Sequence, residues 1–281
     1  MVPRRIGTRL GRVLVGPEPA RLAREPVKSR VRHQEGEIPR PVIGDGSRQG
    51  TLIGSLLPPA VATSEAFTDP VLPTPLFASE EELIAGASPG RRREFSTSRA
   101  CAREAMADLG VAPVPVLRDA HGAPLWPAGV VGSMAHSKGY RCAAVARSAD
   151  VAGIGVDVEP NEPLRHTMVR ERVTIPEERG QLARLGTCES GIHWDRLLFA
   201  AKESVYKAWY PLTGVILDFD EAAVAVNPWQ GTFKARVLGR GPVVDGVRLS
   251  VFHGRWLVED GLVITAVALR APDRGAGTPK T

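Results

Sequence analysis

The sequence predicts an α+β fold for residues 50–270, because two kinds of periodicity occur in each half of that region. Two long segments, near 91–109 and 194–211, repeat apolar residues at the spacing of a helix. Around them lie short segments in which apolar and polar residues alternate, separated by Gly, Asp and Pro, as in strands with one buried face. Each half thus places a helix beside several strands, which indicates mixed α+β layers. We find no sequence repeat between the halves.

The charge of the chain is concentrated at its N-terminus. The 281 residues carry a formal charge of +5, which alone would suit a nucleic-acid binder. Residues 1–49 hold eleven of the 36 basic and five of the 31 acidic residues, leaving 25 basic and 26 acidic residues in the remainder. A nucleic-acid-binding domain should carry its own basic face. We therefore expect no nucleic-acid partner.

Two terminal segments, residues 1–49 and 271–281, are predicted to lie outside the folded region. The first mixes Arg, Pro, Gly and Glu without a sustained period and is interpreted as a disordered basic extension. A start codon assigned too far upstream would give the same pattern. Residues 271–281 are rich in Pro, Gly and Lys and predict a flexible tail.

The cysteines and the hydropathy pattern predict a cytoplasmic protein with no membrane partner. Cys101, Cys142 and Cys188 are far apart and suggest neither a disulfide scaffold nor a zinc site. Cys101 and Cys142 lie in apolar patterns and are predicted to be core residues. No apolar run approaches the length of a membrane span, and no signal peptide is recognisable.

Two helices are predicted in the first half. Ser79–Glu82 has the pattern of a capping box and opens a short helix that ends near Ser88. A longer helix runs from Arg91 to Leu109, with one apolar stripe and Gly110 as its C-terminal cap. Its outward face is predicted to carry a run of arginines, which is usually a solvated surface: Arg91, Arg92, Arg93, Arg99 and Arg103.

Strands, turns and one more capped helix are predicted in the remainder. A strand at 114–118 leads into a turn at 119–122, and Gly132–His136 is predicted to be a loop before a strand at 141–146. A capping box at Thr174–Glu177 opens a helix that ends near Gly186. The last strands are predicted at 216–218, 222–226, 232–238, 248–252, 256–259 and 262–269.

The candidate chemistry lies on a strand at 153–160 and on the helix that Pro211 is expected to end. Asp157 and Glu159 share a strand face, and Glu203 and Lys207 share a helix face. An isolated Glu–Lys pair is usually a surface ion pair. Three converging carboxylates, however, repel one another unless a cation lies between them.

Carboxylates of this kind suit Mg²⁺, which binds through one or two carboxylates, waters and a substrate phosphate. A lysine nearby could meet that phosphate. The residues alone therefore predict a metal-assisted site for a phosphorylated small molecule.

Three segments together resemble the signatures of the Sfp/EntD-type 4′-phosphopantetheinyl transferases. They are Gly132-Ser-Met-Ala-His136, then Gly155-Val-Asp-Val-Glu-Pro160, then Trp194 with Phe199 and Lys202-Glu-Ser-x-x-Lys207. The resemblance covers residues 50–270. It implies a pseudo-dimer of two similar α/β subdomains, with the active site at their junction. Residues 50–155 would form the coenzyme A-binding subdomain, and residues 156–270 the subdomain of the metal and the catalytic helix.

The resemblance also implies roles for single residues. The implied metal ligands are Asp157, Glu159 and Glu203. Glu203 would be the base for a serine proton or would only position the ion, and Lys207 would stabilise or protonate the leaving phosphate. Residues implied to bind coenzyme A are Arg91, Arg99, Arg118, His121, His136, Asp157, Glu203 and Lys207.

Two details of the implied site stay open, and at one position the chain departs from the family pattern. Arg92 is an alternative to Arg91 for the 3′-phosphate, since it lies seven residues before Arg99 and shares its face. Lys202 is expected either to contact phosphate or to face solvent. Where this chain has Ala135, many family members have Ser or Thr, so one hydroxyl contact is missing.

The implied reaction transfers the 4′-phosphopantetheinyl group of coenzyme A to a serine of an apo acyl or peptidyl carrier protein. It requires Mg²⁺ and releases 3′,5′-ADP, and we expect the enzyme to be a monomer. Fatty-acid, polyketide and nonribosomal peptide carriers, including those of siderophore synthesis, are all open as acceptors. The alternatives are a Mg²⁺-dependent phosphohydrolase acting on a nucleotide and a non-catalytic coenzyme A binder.

Overall fold

A computed structural model describes residues 51–71, 74–165, 167–187, 191–239, 241, 243–244 and 246–271. The predicted basic extension 1–49, nearly all of the predicted tail 271–281, and Cys188 lie outside the described residues. Cys101 and Cys142 are buried with free thiols, as their apolar surroundings predicted.

The first half consists of a three-stranded antiparallel sheet covered by one long helix. The sheet has the order β1-β5-β4, and helix α2 packs on β1 and β5 through the predicted apolar stripe of Cys101, Ala102, Ala105 and Met106. The elements are β1 (Ala62–Ala66), α1 (Ala78–Glu82), α2 (Pro89–Asp108), β2 (Leu117–Arg118), β3 (Pro124–Leu125), β4 (Val130–Ser137) and β5 (Tyr140–Arg147).

The long helix of this half is confirmed. The Ser88 hydroxyl caps it by accepting a hydrogen bond from the Arg91 amide, Pro89 occupies its first position, and Gly110 adopts φ 68° after its end. Helix α1 is shorter than predicted, and its capping box begins two residues earlier than predicted. The Phe77 amide donates to the Glu80 carboxylate, so Ser79 lies within the helix instead of before it.

Two predictions for the segment between α2 and β5 are wrong. The strand expected at 114–118 is reduced to Leu117–Arg118, which pairs with Pro124–Leu125. Gly132–His136 is not a loop: it belongs to β4 and pairs with β5 from Val130 to Ser137. The Gly and Ser residues suggested a loop, but pairing with the apolar strand β5 overrides local propensity.

The second half is a five-stranded antiparallel sheet of order β6-β12-β11-β8-β7, covered by helix α5. Its elements are β6 (Val151–Pro160), α3 (Thr167–Val173), α4 (Pro176–Leu185), α5 (Trp194–Thr213), β7 (Ala222–Asn227), β8 (Thr232–Val237), β9 (Val243–Val244), β10 (Val247–Arg248), β11 (Val251–Glu259) and β12 (Leu262–Arg270). Strands β9 and β10 form a separate hairpin.

Several boundaries of this half differ from the predictions. Pro211 lies inside α5, which continues to Thr213 and ends at Gly214 with φ 65°. The capping box of α4 lies one residue later than predicted: the Ile175 amide donates to the Glu178 carboxylate, whereas the predicted pair was Thr174 and Glu177. Helix α3 was not predicted, residues 216–218 form no strand, and β11 is continuous where two strands were predicted.

The two halves share one topology, which confirms the α+β pseudo-dimer. In the first half the main elements occur along the chain in the order β1, α2, β4, β5, and β1 pairs with β5. In the second half the corresponding order is β6, α5, β11, β12, and β6 pairs with β12. The predicted boundary at 155/156 falls inside β6, which pairs along its length with β12.

The halves meet where β4 lies against β6. The Val156 amide donates a hydrogen bond to the Ser133 hydroxyl at 3.1 Å. One hydrophobic cluster joins Tyr140 and Cys142 of the first half to Ile154 and Ile264 of the second. No helix in the described part of the chain is long and apolar enough to cross a membrane.

Candidate active site

The site is built where α5 lies directly on β6. Gly153, Gly155, Asp157 and Glu159 alternate along β6 and therefore share one face. A Cβ on Gly155 would lie 1.8 Å from the Ser204 carbonyl oxygen and 2.7 Å from the Ala208 amide nitrogen. Only glycine permits this approach of the helix backbone. Beyond the glycines that contact α5, the same face of β6 carries the carboxylates of Asp157 and Glu159.

Lys207 and Asp157 are joined by this packing. The Lys207 ammonium donates to Asp157 Oδ1 at 2.7 Å and to the Val156 carbonyl at 3.0 Å. Burial alone would lower the pKa of Lys207, but the charges of Asp157 and Glu203 raise the pKa above its usual value. Lys207 is thus a partly exposed, protonated donor at the junction, with 28% of its side chain accessible to solvent.

Glu203 lies one turn before Lys207 on the same helix face. Burial raises the pKa of Glu203 to about 7, the negative charge of Asp157 adds to this, and Lys207 opposes it. A carboxylate with a pKa near neutrality can accept a proton at physiological pH.

Glu159 is held by an arginine that sequence analysis did not single out. The Arg196 guanidinium, on the first turn of α5, contacts Glu159 Oε2 at 2.9 Å. Burial raises the pKa of Glu159 to about 7, with a further contribution from Asp157, while Arg196 counteracts it. The spacing does carry a signal, because Arg196 lies seven residues before Glu203 and shares its helix face.

The carboxylates fit a hard divalent cation in part. Asp157 Oδ2 is buried and has no hydrogen-bond partner among the described residues, so it is a buried anionic oxygen available to a ligand. Asp157 also raises the pKa of both Glu159 and Glu203 through repulsion that a cation would relieve. Over the described ranges, however, no three His, Cys, Asp or Glu side chains form a ready-made metal cluster.

A second charged cluster lies where α2 meets β4. Glu94 Oε1 is 2.5 Å from His136 Nδ1, and Glu94 Oε2 is 2.9 Å from Arg91 Nη1. Burial raises the pKa of Glu94, but hydrogen bonds and charges from His136 and Arg91 outweigh it and lower the pKa to about 2. Arg91 and His136 are therefore brought together, by a carboxylate that sequence analysis did not consider.

Arg99 does not face outward as predicted. It is 7% exposed, its Nε donates to the Val116 carbonyl at 2.8 Å, and its guanidinium lies 4.0 Å from the centre of the Phe95 ring. Arg103 also turns inward, to the fully buried Glu80. Arg92 forms an ion pair with Glu81. The arginines of α2 are thus divided between the interior and the surface.

Arg118 and His121 are exposed: Arg118 is the last residue of β2, and His121 lies in the turn between β2 and β3. The His121 ring packs edge-on against Tyr210 at 5.4 Å between centroids, and the Tyr210 hydroxyl donates to Asp119 at 2.8 Å. Tyr210 lies three residues after Lys207 on α5. The turn is therefore fastened beside the helix that carries Glu203 and Lys207.

Comparison with known proteins decides the family. Residues 79–146 match the 4′-phosphopantetheinyl transferase N-terminal domain, and residues 153–262 match the 4′-phosphopantetheinyl transferase superfamily. The chain is 54% identical to the 4′-phosphopantetheinyl transferase Svp of Streptomyces mobaraensis, over 81% of this chain and 92% of that protein. The chain belongs to the 4′-phosphopantetheinyl transferase superfamily.

Two further relatives agree. The 4′-phosphopantetheinyl transferase PptT of Mycobacterium tuberculosis is 43% identical over 78% of this chain and 99% of that protein. The 4′-phosphopantetheinyl transferase Npt of Nocardia iowensis is 42% identical over 77% of this chain and 99% of that protein. The chain is accordingly an enzyme that transfers a phosphopantetheinyl group, which confirms the resemblance found in its motifs.

Lys202 of this transferase neither meets a phosphate nor faces solvent, so both expectations for it are wrong. Its ammonium is buried and donates to Glu178 Oε2 at 2.8 Å and to the carbonyls of Val173 and Phe219. Glu178 also accepts the amides of Ile175 and Val224. Lys202 therefore anchors α5 on the side away from Asp157.

Proposed function

We propose that this enzyme transfers the 4′-phosphopantetheinyl group of coenzyme A to a serine hydroxyl of an apo acyl or peptidyl carrier protein, releasing 3′,5′-ADP. The observation that carries the proposal is the contact of α5 with β6. It joins protonated Lys207 to Asp157 and leaves Glu203 beside them with a pKa of about 7. These are a donor and an acceptor of the kind that phosphoryl transfer needs.

Arg91 and His136 are the proposed ligands of the 3′-phosphate of coenzyme A. Both lie at the surface of one cluster, and guanidinium and imidazole N–H groups can donate hydrogen bonds to phosphate oxygens. Arg99 lies behind them in the interior and contributes positive charge to the same region. Arg118 and His121, at the exposed turn next to α5, are proposed to meet the pyrophosphate side of the ligand.

Asp157, Glu203 and Glu159 are the proposed ligands of Mg²⁺. The unpartnered Asp157 Oδ2 supports this assignment, since a buried anionic oxygen costs free energy unless it is paired. When bound, Mg²⁺ supplies Lewis-acid neutralisation of the pyrophosphate charge. Glu159 would have to leave Arg196 to complete the set.

The chain's own residues handle the protons. The carrier serine oxygen forms a bond to the β-phosphorus, and the bond from that phosphorus to the oxygen of the leaving 3′,5′-ADP breaks. Glu203 accepts the serine proton, directly or through a water, or it acts by holding the ion alone. Lys207 donates a hydrogen bond or its proton to the leaving phosphate, where its raised pKa keeps it charged before the reaction.

Intact mass spectrometry of an apo carrier protein tests the proposal. Incubation with the enzyme, coenzyme A and Mg²⁺ should add one phosphopantetheinyl group, and a chelator should prevent the addition. Fatty-acid, polyketide and nonribosomal peptide carriers are tested side by side, because each is a candidate acceptor. If coenzyme A is cleaved without any carrier, the enzyme is a phosphohydrolase; if it is bound but unchanged with every carrier, the proposed transfer is wrong.

A further inference from the structure

Glu159 and Arg196 form an ion pair inside the proposed metal site, and this pair has no role in the reaction described above. The exposed fractions of the two side chains are 23% and 15%, so the pair is largely shielded from solvent. Charge-assisted contacts in such surroundings are stronger than surface ion pairs. Glu159 is therefore engaged before any cation arrives.

Arg196 is held independently of Glu159. Its Nε donates to the Glu162 carbonyl at 3.0 Å, and its Nη2 donates to the Pro163 carbonyl at 3.3 Å. The loop that supplies these carbonyls is tied to the start of α5, because the Leu164 amide donates to Asp195 at 3.1 Å. The guanidinium thus keeps two backbone partners when Glu159 turns away.

Glu159, by contrast, can change partners by side-chain rotation alone. Its backbone is fixed by the pairing of β6 with β12, in which it faces Val263. Asp157 lies on the same strand face, two residues away. The carboxylate of Glu159 is the movable member of the pair, and Arg196 is the fixed one.

We propose that Arg196 lowers the affinity of the site for divalent cations by withholding Glu159, so that it sets the metal concentration at which the enzyme is loaded. This inference deepens the proposed function and rests on its metal assignment. A cation must displace Arg196 from Glu159 and lie near its positive charge, and both effects weaken binding.

A direct metal titration tests the inference without measuring turnover. The probe is Mn²⁺ alone, which accepts the same oxygen ligands. Its binding to the full chain is measured by electron paramagnetic resonance. Arg196→Gln should lower the dissociation constant about tenfold, as expected for the loss of one competing charge-assisted contact. Arg196→Lys should lower it less, because it keeps the charge but cannot span Glu159 and both carbonyls.

Arg165→Gln is the matched control. Arg165 belongs to the same loop and pairs with Glu162, but both side chains are exposed and neither contacts Glu159. Its substitution removes the same charge and should change Mn²⁺ affinity less than about twofold, because exposed charges are screened. A comparable change in both variants would mean that Arg196 acts only through net charge, and the inference would be wrong.

A double-mutant cycle with Glu159→Gln locates the effect. In that background Arg196→Gln should no longer tighten Mn²⁺ binding by tenfold, because there is no carboxylate left to release. A folded Arg196→Gln chain that binds Mn²⁺ no more tightly than the wild type overturns the inference. If that variant does not fold, Arg196→Lys is used instead, and unchanged Mn²⁺ affinity in it overturns the inference equally. Carrier modification is measured separately, so failure of the transferase proposal is distinguishable from failure of this one.

Discussion

At the scale of single residues, the site depends on how each partly buried charge is neutralised. Lys207 is paired with Asp157, Glu159 with Arg196, and Glu94 with both Arg91 and His136. Glu203 has no ion pair of this kind shorter than 4 Å among the described residues, and burial keeps its pKa near 7. The least compensated carboxylate is therefore the one in the proposed catalytic role.

Glu203→Gln should reduce carrier modification by about 10²–10⁴-fold, the range associated with loss of an acid–base group. Stability should be unchanged or slightly higher, because the amide has nearly the same shape and removes a carboxylate whose ionised form is disfavoured by burial. Rates are measured by mass spectrometry and stability by urea unfolding. Full turnover by a folded Glu203→Gln enzyme would exclude both the base and the metal-ligand roles.

Glu94 should make the stability of the protein dependent on pH in the acid range. Its pKa in the folded state, about 2, is below the ordinary value of 4.5, so the folded state binds this proton less readily than the unfolded state. The stabilisation is complete above about pH 4.5 and is lost as the pH falls towards 2. A shift of this size corresponds to at most about 3 kcal/mol.

Urea unfolding of the wild type and Glu94→Gln between about pH 2 and pH 6, a range that contains both the folded-state and the ordinary pKa of Glu94, measures this contribution. The difference in unfolding free energy between the two proteins should be largest near pH 6 and should shrink as the pH falls. Other carboxylates titrate in both proteins and cancel in the comparison. A difference that stays constant with pH would contradict the ion-pair cluster.

At the scale of elements, helix α5 is positioned from two sides. Gly153 and Gly155 let its backbone lie directly on β6. On the other side, buried Lys202 bonds Glu178 at the start of α4 and the backbone carbonyls of Val173 and Phe219. A buried ion pair of this type is costly to break, about 3–5 kcal/mol when one partner is removed. Glu203 and Lys207 are thus carried by a helix with little freedom to shift.

Gly155→Ala should separate α5 from β6 and damage both stability and activity. The added Cβ would overlap the Ser204 carbonyl, which is main chain and cannot rotate away. We expect a loss of at least about 2 kcal/mol in unfolding free energy, by analogy with overpacked cores. Activity should fall about a hundredfold, because displacement of catalytic groups by 1 Å has effects of this size.

Gly90→Ala provides the control for that variant. Gly90 lies in α2, where an added Cβ meets no atom within 4 Å, so alanine should be neutral or stabilise by up to about 1 kcal/mol. Thermal unfolding and carrier modification are compared for both variants. Equal behaviour of the two would show that the approach of α5 to β6 is not tight.

At the scale of the whole molecule, the two halves share one hydrophobic core, and we expect them to unfold as one cooperative unit. They share the hydrophobic cluster around Tyr140, Val156 and Ile264, and β4 meets β6 through the Ser133 hydroxyl. The proposed coenzyme A cluster belongs to the first half and the proposed metal site to the second. The junction therefore determines whether the two parts of the site face each other correctly.

Ser133→Ala should destabilise the junction by about 1–3 kcal/mol, because the buried Val156 amide loses its acceptor. Unfolding followed by far-UV circular dichroism and by tryptophan fluorescence should nevertheless give one coincident transition. Ser55→Ala, which removes an exposed hydroxyl bonded to the Leu52 carbonyl, should change stability by less than about 0.5 kcal/mol. Two separate transitions in the wild type would refute the shared core.

Much of this molecule was predictable from the sequence. The long helices α2 and α5, the strands β5, β6, β7, β8 and β12, and the alternation that puts Asp157 and Glu159 on one face all follow from local periodicity. The Glu203–Lys207 spacing and the three ordered motifs predicted the family, which the comparisons confirm. These features depend on residues close together in the chain, and such spacing can be interpreted without knowing the tertiary contacts.

Only the tertiary structure decided which partner each charged residue has. Arg99 turns to the Val116 carbonyl, Lys202 to Glu178, and Glu159 to Arg196, and each contact joins residues at least 17 positions apart. Periodicity assigns a residue to a face, but it cannot say whether that face meets water, an opposite charge or a backbone carbonyl. The neutralisation of buried charge, and with it the state of the metal site, is therefore determined by packing.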